Sequence, residues 1–181
     1  CASDLSFVLA MGAVQAQADE GWVQPFNGKD LSGWHFHGNA KDARWAVGTA
    51  RMKADEPAKL EVLPGGSDLI NTQAHSLDMY TDQKFGDALI ELEVMIPKGS
   101  NSGIYPMAEY EIQVIDSYGK KEMNLGDMGA PYRIVPPKVN AAKAPGEWQK
   151  FVIDFRAPRF DAQGKKIANA KFVKVVLNDQ V

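Results

Sequence analysis

Acidic and amide side chains alternate along one short segment of the chain, where a strand buried in a core would carry hydrocarbon. Glu109, Glu111 and Gln113 occupy every second position, so a strand would place them on one face and apolar residues on the other. Such a face either meets water or lines a groove. In a groove, a carboxylate can act as a general base, and an amide can orient a bound substrate through hydrogen bonds.

A second pair of carboxylates, Glu91 and Glu93, has the same spacing. Neighbours on one face of a strand lie about 6.7 Å apart, close to the roughly 6.5–9.5 Å that separates the two acids of an inverting glycosidase. Pairs of this kind are also common on solvated sheet faces, so both interpretations stay open for each pair. The Asn-Ser-Gly turn at 101–103 favours Glu111 and Gln113, which follow it closely.

Other chemistries leave weaker signals in the sequence. His35 and His37 would share a face of an extended segment, but no carboxylate stands at a known ligand spacing, so two surface histidines explain them better than a metal site. The sequence contains no glycine-rich phosphate loop and no Gly-x-Ser-x-Gly nucleophile elbow. The formal net charge is −3 and no block of Lys or Arg occurs, which argues against nucleic acid or an anionic membrane as partner.

The elements that must position these side chains are predicted to be strands. From Trp22 onward, short segments with period-2 alternation are separated by turn signals such as the Pro-Gly-Gly-Ser of residues 64–67. The predicted strands are Trp45–Val47, Ala50–Lys53, Leu69–Thr72, Ala88–Ile96, Gly103–Tyr105, Tyr110–Ile115, Gln149–Phe155 and Lys171–Leu177. Because 181 residues with 45% hydrophobic content suit one core, we expect a single all-β domain, a sandwich or jelly roll of antiparallel strands.

The two ends of the chain differ from this domain. Residues 1–18 hold a short apolar run, Leu5 to Val14, and then small residues up to Ala18, a pattern typical of a secretory signal peptide and too short to span a bilayer. The alternative is a buried N-terminal strand or helix. The predicted domain is 19–181. A hairpin begins after Leu177 and is unfinished at Val181, so we expect that the domain is truncated and that C-terminal strands are missing.

Residues 117–148 interrupt the alternation and are rich in Gly, Pro, Met and Lys. Long irregular connections inside compact domains are usually functional or disordered. Since Arg133 and Lys143 lie in this segment, one interpretation is a loop that folds over one mouth of the sandwich. The other is a solvated excursion.

Five segments, in order, resemble motifs of the 3-keto-disaccharide hydrolase family. They are Phe26–Trp34, Phe85–Glu93, Ile96–Tyr105, Tyr110–Asp116 and Pro145–Trp148. The resemblance runs from Trp22 to the end of the chain. It implies a concanavalin-like jelly roll, an exported location that is periplasmic or extracellular, and a carbohydrate substrate, namely a glucoside or disaccharide oxidised at C3.

The implied chemistry needs one general base. A ketone at C3 acidifies the proton on C2, so its removal lets the C1 aglycone leave by elimination, after which water adds. The developing enolate would be held by hydrogen-bond donors or by a divalent metal ion, a possible cofactor whose ligands are unknown. The resemblance implies Glu111 or Glu93 as the base, with Gln113 and Asn101 as orienting groups.

Substrate contacts are implied for Tyr105, Asp116, Arg133 and Lys143, although strict alternation puts Asp116 on the face opposite Glu111. The chain departs from the family at Met107-Ala108, where many members carry Arg-Gly, so Arg133 would have to supply that positive charge. Two alternatives stay open. One is a carbohydrate-binding module, and the other is a conventional glycoside hydrolase on the same sandwich, which is weakened because the acidic segment ends in the amide of Gln113.

Overall fold

The computed structural model describes residues 8–10 and 21–181. These residues form twelve strands and two 3-10 helices, which span Ala40–Asp42 and Pro106–Ala108. The strands are β1 (Val8–Ala10), β2 (Trp34–Phe36), β3 (Trp45–Met52), β4 (Leu60–Asn71), β5 (Met79–Thr81), β6 (Ala88–Met95), β7 (Asn101–Ile104), β8 (Ile112–Ile115), β9 (Trp148–Arg156), β10 (Arg159–Phe160), β11 (Lys166–Ala168) and β12 (Lys171–Leu177). The pairings between them are antiparallel.

Six strands form the larger sheet, in the order β12-β9-β6-β1-β4-β3. Alternate residues of β9 are apolar, and Phe151, Ile153 and Phe155 are fully buried on one face. The β7–β8 hairpin packs against that face, since Ile112 and Val114 of β8 belong to the same hydrophobic core. Burying each such side chain stabilises the fold by about 1.5–3 kcal/mol. The two layers confirm the predicted all-β jelly-roll sandwich.

Each predicted strand overlaps an observed one, and Lys171–Leu177 has the bounds of β12. The segments 45–47 and 50–53 are one continuous strand, β3. The prediction that a turn at 64–67 ends a strand is wrong, because those residues lie inside β4. They bulge out of its pairing with β3, where Leu63 faces Thr49 and Asp68 faces Gly48. The positive φ angles of two glycines, 78° at Gly65 and 81° at Gly66, permit the bulge.

The predicted signal peptide lies outside the described residues except for Val8–Ala10. These three residues form β1, which pairs with β6 on one side and β4 on the other. Cleavage after Ala18 would remove this strand, and the signal peptide stays a prediction. At the other end, Asn178 and Asp179 have positive φ angles of 48° and 66°, typical of a two-residue hairpin turn. The further C-terminal strands also stay a prediction.

Residues 117–148 begin beside β8 and pack into the core. Ala130 accepts a backbone hydrogen bond from Gln113 (2.9 Å), and Gly129 donates one to the Gln113 carbonyl (2.8 Å). Met128 and Ala130 are buried. The solvated interpretation is therefore wrong for residues 127–130, which extend the β7–β8 layer, whereas residues 118–122 and 133–136 are exposed. Among the described helices, none is long and apolar enough to cross a membrane.

Candidate active site

The β7–β8 hairpin brings together four of the predicted site residues. Gly103 faces Gln113 across the hairpin, and opposite residues of an antiparallel pair project to the same side. Two residues beyond this pair, in the segment that connects β7 to β8, Tyr105 and Glu111 come together at the closed end of the hairpin. Asn101, two residues before Gly103, faces Ile115 and lies on the same side. The other side of β8 carries Ile112 and Val114 into the core.

Glu111 and Tyr105 form the centre of the site. The Tyr105 hydroxyl donates a hydrogen bond to the Glu111 carboxylate. Partial burial of the hydroxyl, followed by this bond and the negative charge of Glu111, raises the pKa of Tyr105. The hydroxyl therefore stays protonated at neutral pH and holds the carboxylate as a donor. The Tyr105 side chain is half exposed, at 49%, so the pair remains open to a ligand.

Gly103 has no side chain, and this leaves room for Tyr105 and Glu111 to approach each other. A Cβ atom at this position would lie 2.5 Å from Cε2 of Tyr105 and 2.7 Å from Oε1 of Glu111, both shorter than van der Waals contact. The φ angle of Gly103 is not positive, so the glycine is required by the close approach and not by the backbone conformation. The Asn-Ser-Gly segment that favoured Glu111 in the sequence is part of strand β7 and not a turn, and it makes room for Glu111 through its glycine.

Gln113 supplies a buried acceptor beside the pair. Its side chain is 4% exposed, and Oε1 has no hydrogen-bond partner. A buried polar atom left unpaired costs about 1–3 kcal/mol, and native proteins keep few of them. Its backbone is fixed from both directions by Ala130 and Gly129. The unpaired oxygen is therefore a buried acceptor held in place on the Glu111 side of the hairpin.

The segment after Ala130 adds two residues to the site. The Tyr132 amide donates to the Glu111 carbonyl (2.9 Å), which places the Tyr132 backbone beside that of Glu111. The Arg133 guanidinium lies 5.1 Å from the centroid of the Tyr132 ring, a cation–π contact. Tyr132 and the charge of Asp78 also contribute to the raised pKa of Tyr105. Arg133 is exposed, so its positive charge is open to solvent.

Three predicted residues lie elsewhere. Glu93 is exposed opposite Lys150, and since its neighbour Val94 enters the core shared with β8, Glu93 lies on the other face of the large sheet. The Asp116 carboxylate accepts from the Gly99 amide (2.8 Å) and caps the preceding turn. Lys143 donates through Nζ to the Trp148 carbonyl (3.1 Å). Among the described contacts, none joins these three residues to Glu111.

Sequence reasoning placed Tyr132 in the segment expected over one mouth of the sandwich without giving it a role at the site, and it missed Asp78. Tyr132 belongs to the irregular segment, and its place depends on the backbone pairing with β8, which no local pattern reveals. Asp78 directly precedes β5, a three-residue strand that is too short for period-2 alternation to predict.

The donor set does not form a metal site in the part of the chain that the structure describes. No group of three or more His, Cys, Asp or Glu side chains is placed there to hold an ion. The partner of the Glu111 carboxylate is the Tyr105 hydroxyl, which is a hydrogen-bond donor. The divalent ion therefore stays a prediction, and no step below is derived through it.

Comparisons with known proteins agree with the fold. The model of a family described as a 3-keto-alpha-glucoside-1,2-lyase-like domain matches residues 21–181. A 3-keto-disaccharide hydrolase from Bacteroides thetaiotaomicron is 27% identical over 168 residues, covering 77% of this chain and 54% of that protein. A crystal structure of a candidate glycosyl hydrolase from Parabacteroides distasonis superposes with a TM-score of 0.64 at 29% identity, covering 88% of this chain and 62% of that one. The chain thus spans about half the length of the curated relative.

Proposed function

The chain belongs to the 3-keto-alpha-glucoside-1,2-lyase-like domain family, and we propose that it carries the active site of an enzyme that cleaves the glycosidic bond of 3-keto-glycosides. One observation carries the proposal. The Glu111 carboxylate is held by the Tyr105 hydroxyl over Gly103, and the buried, unpaired oxygen of Gln113 lies on the same side of the hairpin. The carboxylate can act as the base for proton abstraction beside a ketone, and the amide oxygen can accept a hydrogen bond from a sugar hydroxyl.

In the proposed mechanism, Glu111 removes the proton from C2 of the oxidised sugar. The electron pair of that C–H bond forms an enolate with the C3 ketone, and the enolate then expels the aglycone oxygen from C1 to leave a C1–C2 double bond. Water adds across this double bond, and the departing oxygen takes up a proton. Tyr105 orients the base through its hydrogen bond, and the Arg133 guanidinium provides positive charge near the developing enolate.

Gln113 completes substrate binding in this proposal. Its Oε1 accepts a hydrogen bond from a sugar hydroxyl, which gives the buried oxygen the partner that it lacks in the free protein. Asn101 lies on the same side of the hairpin and serves as a second orienting group. Since proton transfer depends on alignment within a few tenths of an ångström, a fixed amide that sets the sugar ring contributes to rate as well as to affinity.

The composition of the site supports elimination over conventional glycoside hydrolysis. A conventional enzyme needs two carboxyl groups, one on each side of the scissile bond. The side chain in contact with Glu111 is instead a tyrosine that stays protonated, and Glu93 lies on the other face of the large sheet. The substrate is accordingly a carbohydrate that already carries a ketone. The signal-peptide pattern supports the further proposal that the protein is exported, to the periplasm or outside the cell.

The test is aglycone release by the complete protein from methyl 3-keto-glucoside and from unoxidised methyl glucoside, with and without a chelator. We expect release from the keto substrate alone. Glu111→Gln should lower kcat by about 10²- to 10⁴-fold, the usual contribution of a general base, and should retain sugar binding. Loss of activity on adding the chelator would show that a metal takes part.

Two further variants make the test specific. Glu109→Gln changes an exposed carboxylate two residues away and should keep full turnover. Glu93→Gln should do the same, whereas a large loss there would transfer the role of base to Glu93. Release from the unoxidised glucoside would contradict the elimination mechanism. Sugar binding without any release would instead indicate a carbohydrate-binding module.

A further inference from the structure

The β2–β5 ribbon carries three rings in a row on one exposed face. His35 faces Tyr80 across the ribbon, and His37 lies two residues further along β2 on the same side. The Tyr80 ring centroid is 5.5 Å from that of His35 and 4.6 Å from that of His37, with tilted planes. We call His35, His37 and Tyr80 the ring row. The opposite face of the ribbon carries Trp34 and Phe36, which are partly buried.

The ring row is held in place and is open to solvent. The His35 ring contacts the Asp82 carboxylate through Nε2, and Tyr80 packs between the two imidazoles. Even so, the Tyr80 side chain is 41% exposed and both histidines are exposed. Rings fixed side by side at a surface offer apolar faces together with polar edges. A pyranose has matching chemistry, since its C–H bonds form apolar faces and its hydroxyls surround them.

The ribbon pairing extends beyond the ring row to an acidic residue, Asp78. The His37 amide donates to the Asp78 carbonyl (2.9 Å), so Asp78 extends the pairing of the ribbon and lies on the side of Tyr80. The negative charge of Asp78 contributes to the raised pKa of Tyr105, the residue that holds Glu111. Asp78 therefore relates the ribbon to the candidate active site through its charge.

We propose that the ring row is a second sugar subsite, which holds the unoxidised ring of a disaccharide while its 3-keto ring lies at Glu111. This inference rests on the proposed function. Alternate residues on β2 are about 6.7 Å apart, so His35 and His37 flank a surface about as long as one sugar ring. Ring stacking supplies affinity, and the histidine nitrogens and the Asp82 carboxylate provide hydrogen-bonding partners for hydroxyls.

The experiment compares two substrates that share the oxidised ring, a 3-keto-disaccharide and methyl 3-keto-glucoside, in the complete protein. Tyr80→Ala should raise KM for the disaccharide about tenfold, a typical effect of losing one stacked ring, and should change KM for the methyl glucoside less than twofold. Tyr80→Phe keeps the ring and should restore the disaccharide KM. Tyr118→Ala removes a tyrosine that is 59% exposed outside the ribbon and should leave both substrates unaffected.

The outcomes separate the two proposals. If wild type turns over both substrates and Tyr80→Ala changes their KM values equally or leaves both unchanged, the second subsite is wrong and the proposed function stands. If wild type releases aglycone from neither substrate, the proposed function fails and the subsite fails with it. A selective loss for the disaccharide that Tyr80→Phe reverses supports both proposals.

Discussion

Gly103→Ala tests the geometry of the site, and we expect it to leave the stability of the fold nearly unchanged. The added Cβ would lie 2.7 Å from Glu111 Oε1 and 2.5 Å from Tyr105 Cε2. Ordinary contact begins at 3.4 Å, so the carboxylate must move by about 0.7 Å (3.4 minus 2.7) and the ring by about 0.9 Å (3.4 minus 2.5). Misplacement of a catalytic group by about 1 Å can cost roughly 10²-fold in rate. We therefore expect kcat/KM on a 3-keto-glucoside to fall about 10²-fold.

The fold should survive the same substitution. Both atoms that obstruct the new methyl belong to side chains at a partly open surface, and the backbone at Gly103 has no positive φ to lose. Alanine in a strand also favours the folded state over glycine by about 0.5–1 kcal/mol, because a chain with alanine has less conformational entropy to lose on folding. Since 1 kcal/mol shifts Tm by about 2–4 °C at this chain length, we expect Tm within about 4 °C of wild type.

The assay is steady-state turnover together with thermal unfolding, with Gly86→Ala as the matched control. Gly86 has no positive φ, and a Cβ there would meet nothing within 4 Å, so this variant should keep full activity. Wild-type kcat/KM in Gly103→Ala would refute the assignment of Glu111 and Tyr105 to the reacting site. A parallel collapse of Tm and activity would refute the claim that the glycine serves the site rather than the fold.

Three other substitutions test the site and the packing. Gln113→Leu removes the unpaired oxygen, so the free energy of unfolding should rise by up to about 1–3 kcal/mol while kcat/KM falls; a decrease in stability measured by urea unfolding would show that the oxygen is paired. Phe151→Ala empties a fully buried core position and should cost about 3–5 kcal/mol in the same assay, and a loss below 1 kcal/mol would contradict the assigned core. Asp87 accepts two hydrogen bonds from Arg159 and one from the Ala157 amide, which lower its pKa from 3.8 to about 2. Because the folded-state pKa is depressed, Asp87→Asn should lower Tm above pH 3.8, and the difference from wild type should shrink as the pH falls from 3.8 through 2; a difference that is as large at pH 2 as above pH 3.8 would contradict this origin.

The sequence predicts strands well where β-branched and aromatic residues run without a breaker. β12 has the bounds predicted for it, because Lys171–Leu177 is rich in such residues and contains no Gly or Pro, although a bulge between Phe172 and Lys174 interrupts its alternation. In β4, the Pro-Gly-Gly-Ser of 64–67 has the composition of a turn, yet the strand continues past it because pairing with β3 resumes at Asp68 and Gly48. That outcome depends on contacts between distant parts of the chain, which override local propensity.

The candidate site was predictable to the extent that strand parity determines it. Alternation placed Glu111 and Gln113 on one side, and the structure adds Tyr105 and Gly103 to that side. Glu93 shows the same alternation, and only the packing of the β7–β8 layer against Val94 reveals that it lies on the other face. Local pattern therefore fixes which residues share a face, whereas tertiary packing decides which faces meet.

The anchoring of the irregular segment determines where the chain can accept new sequence. Asn140 bonds the Ser117 and Lys120 carbonyls, and the buried Gln149 accepts from the Lys143 amide. Residues 134–136 and 138–139 lie between these anchors and the part of the segment that pairs with β8, and they are exposed. Exposed loop tips are the sites where proteins tolerate insertions. A peptide tag or a small reporter domain placed between Pro136 and Lys138 should leave the protein folded. The same insertion after Lys143 would pull apart the amide contacts of Gln149, so only the tip of the segment is a usable attachment point.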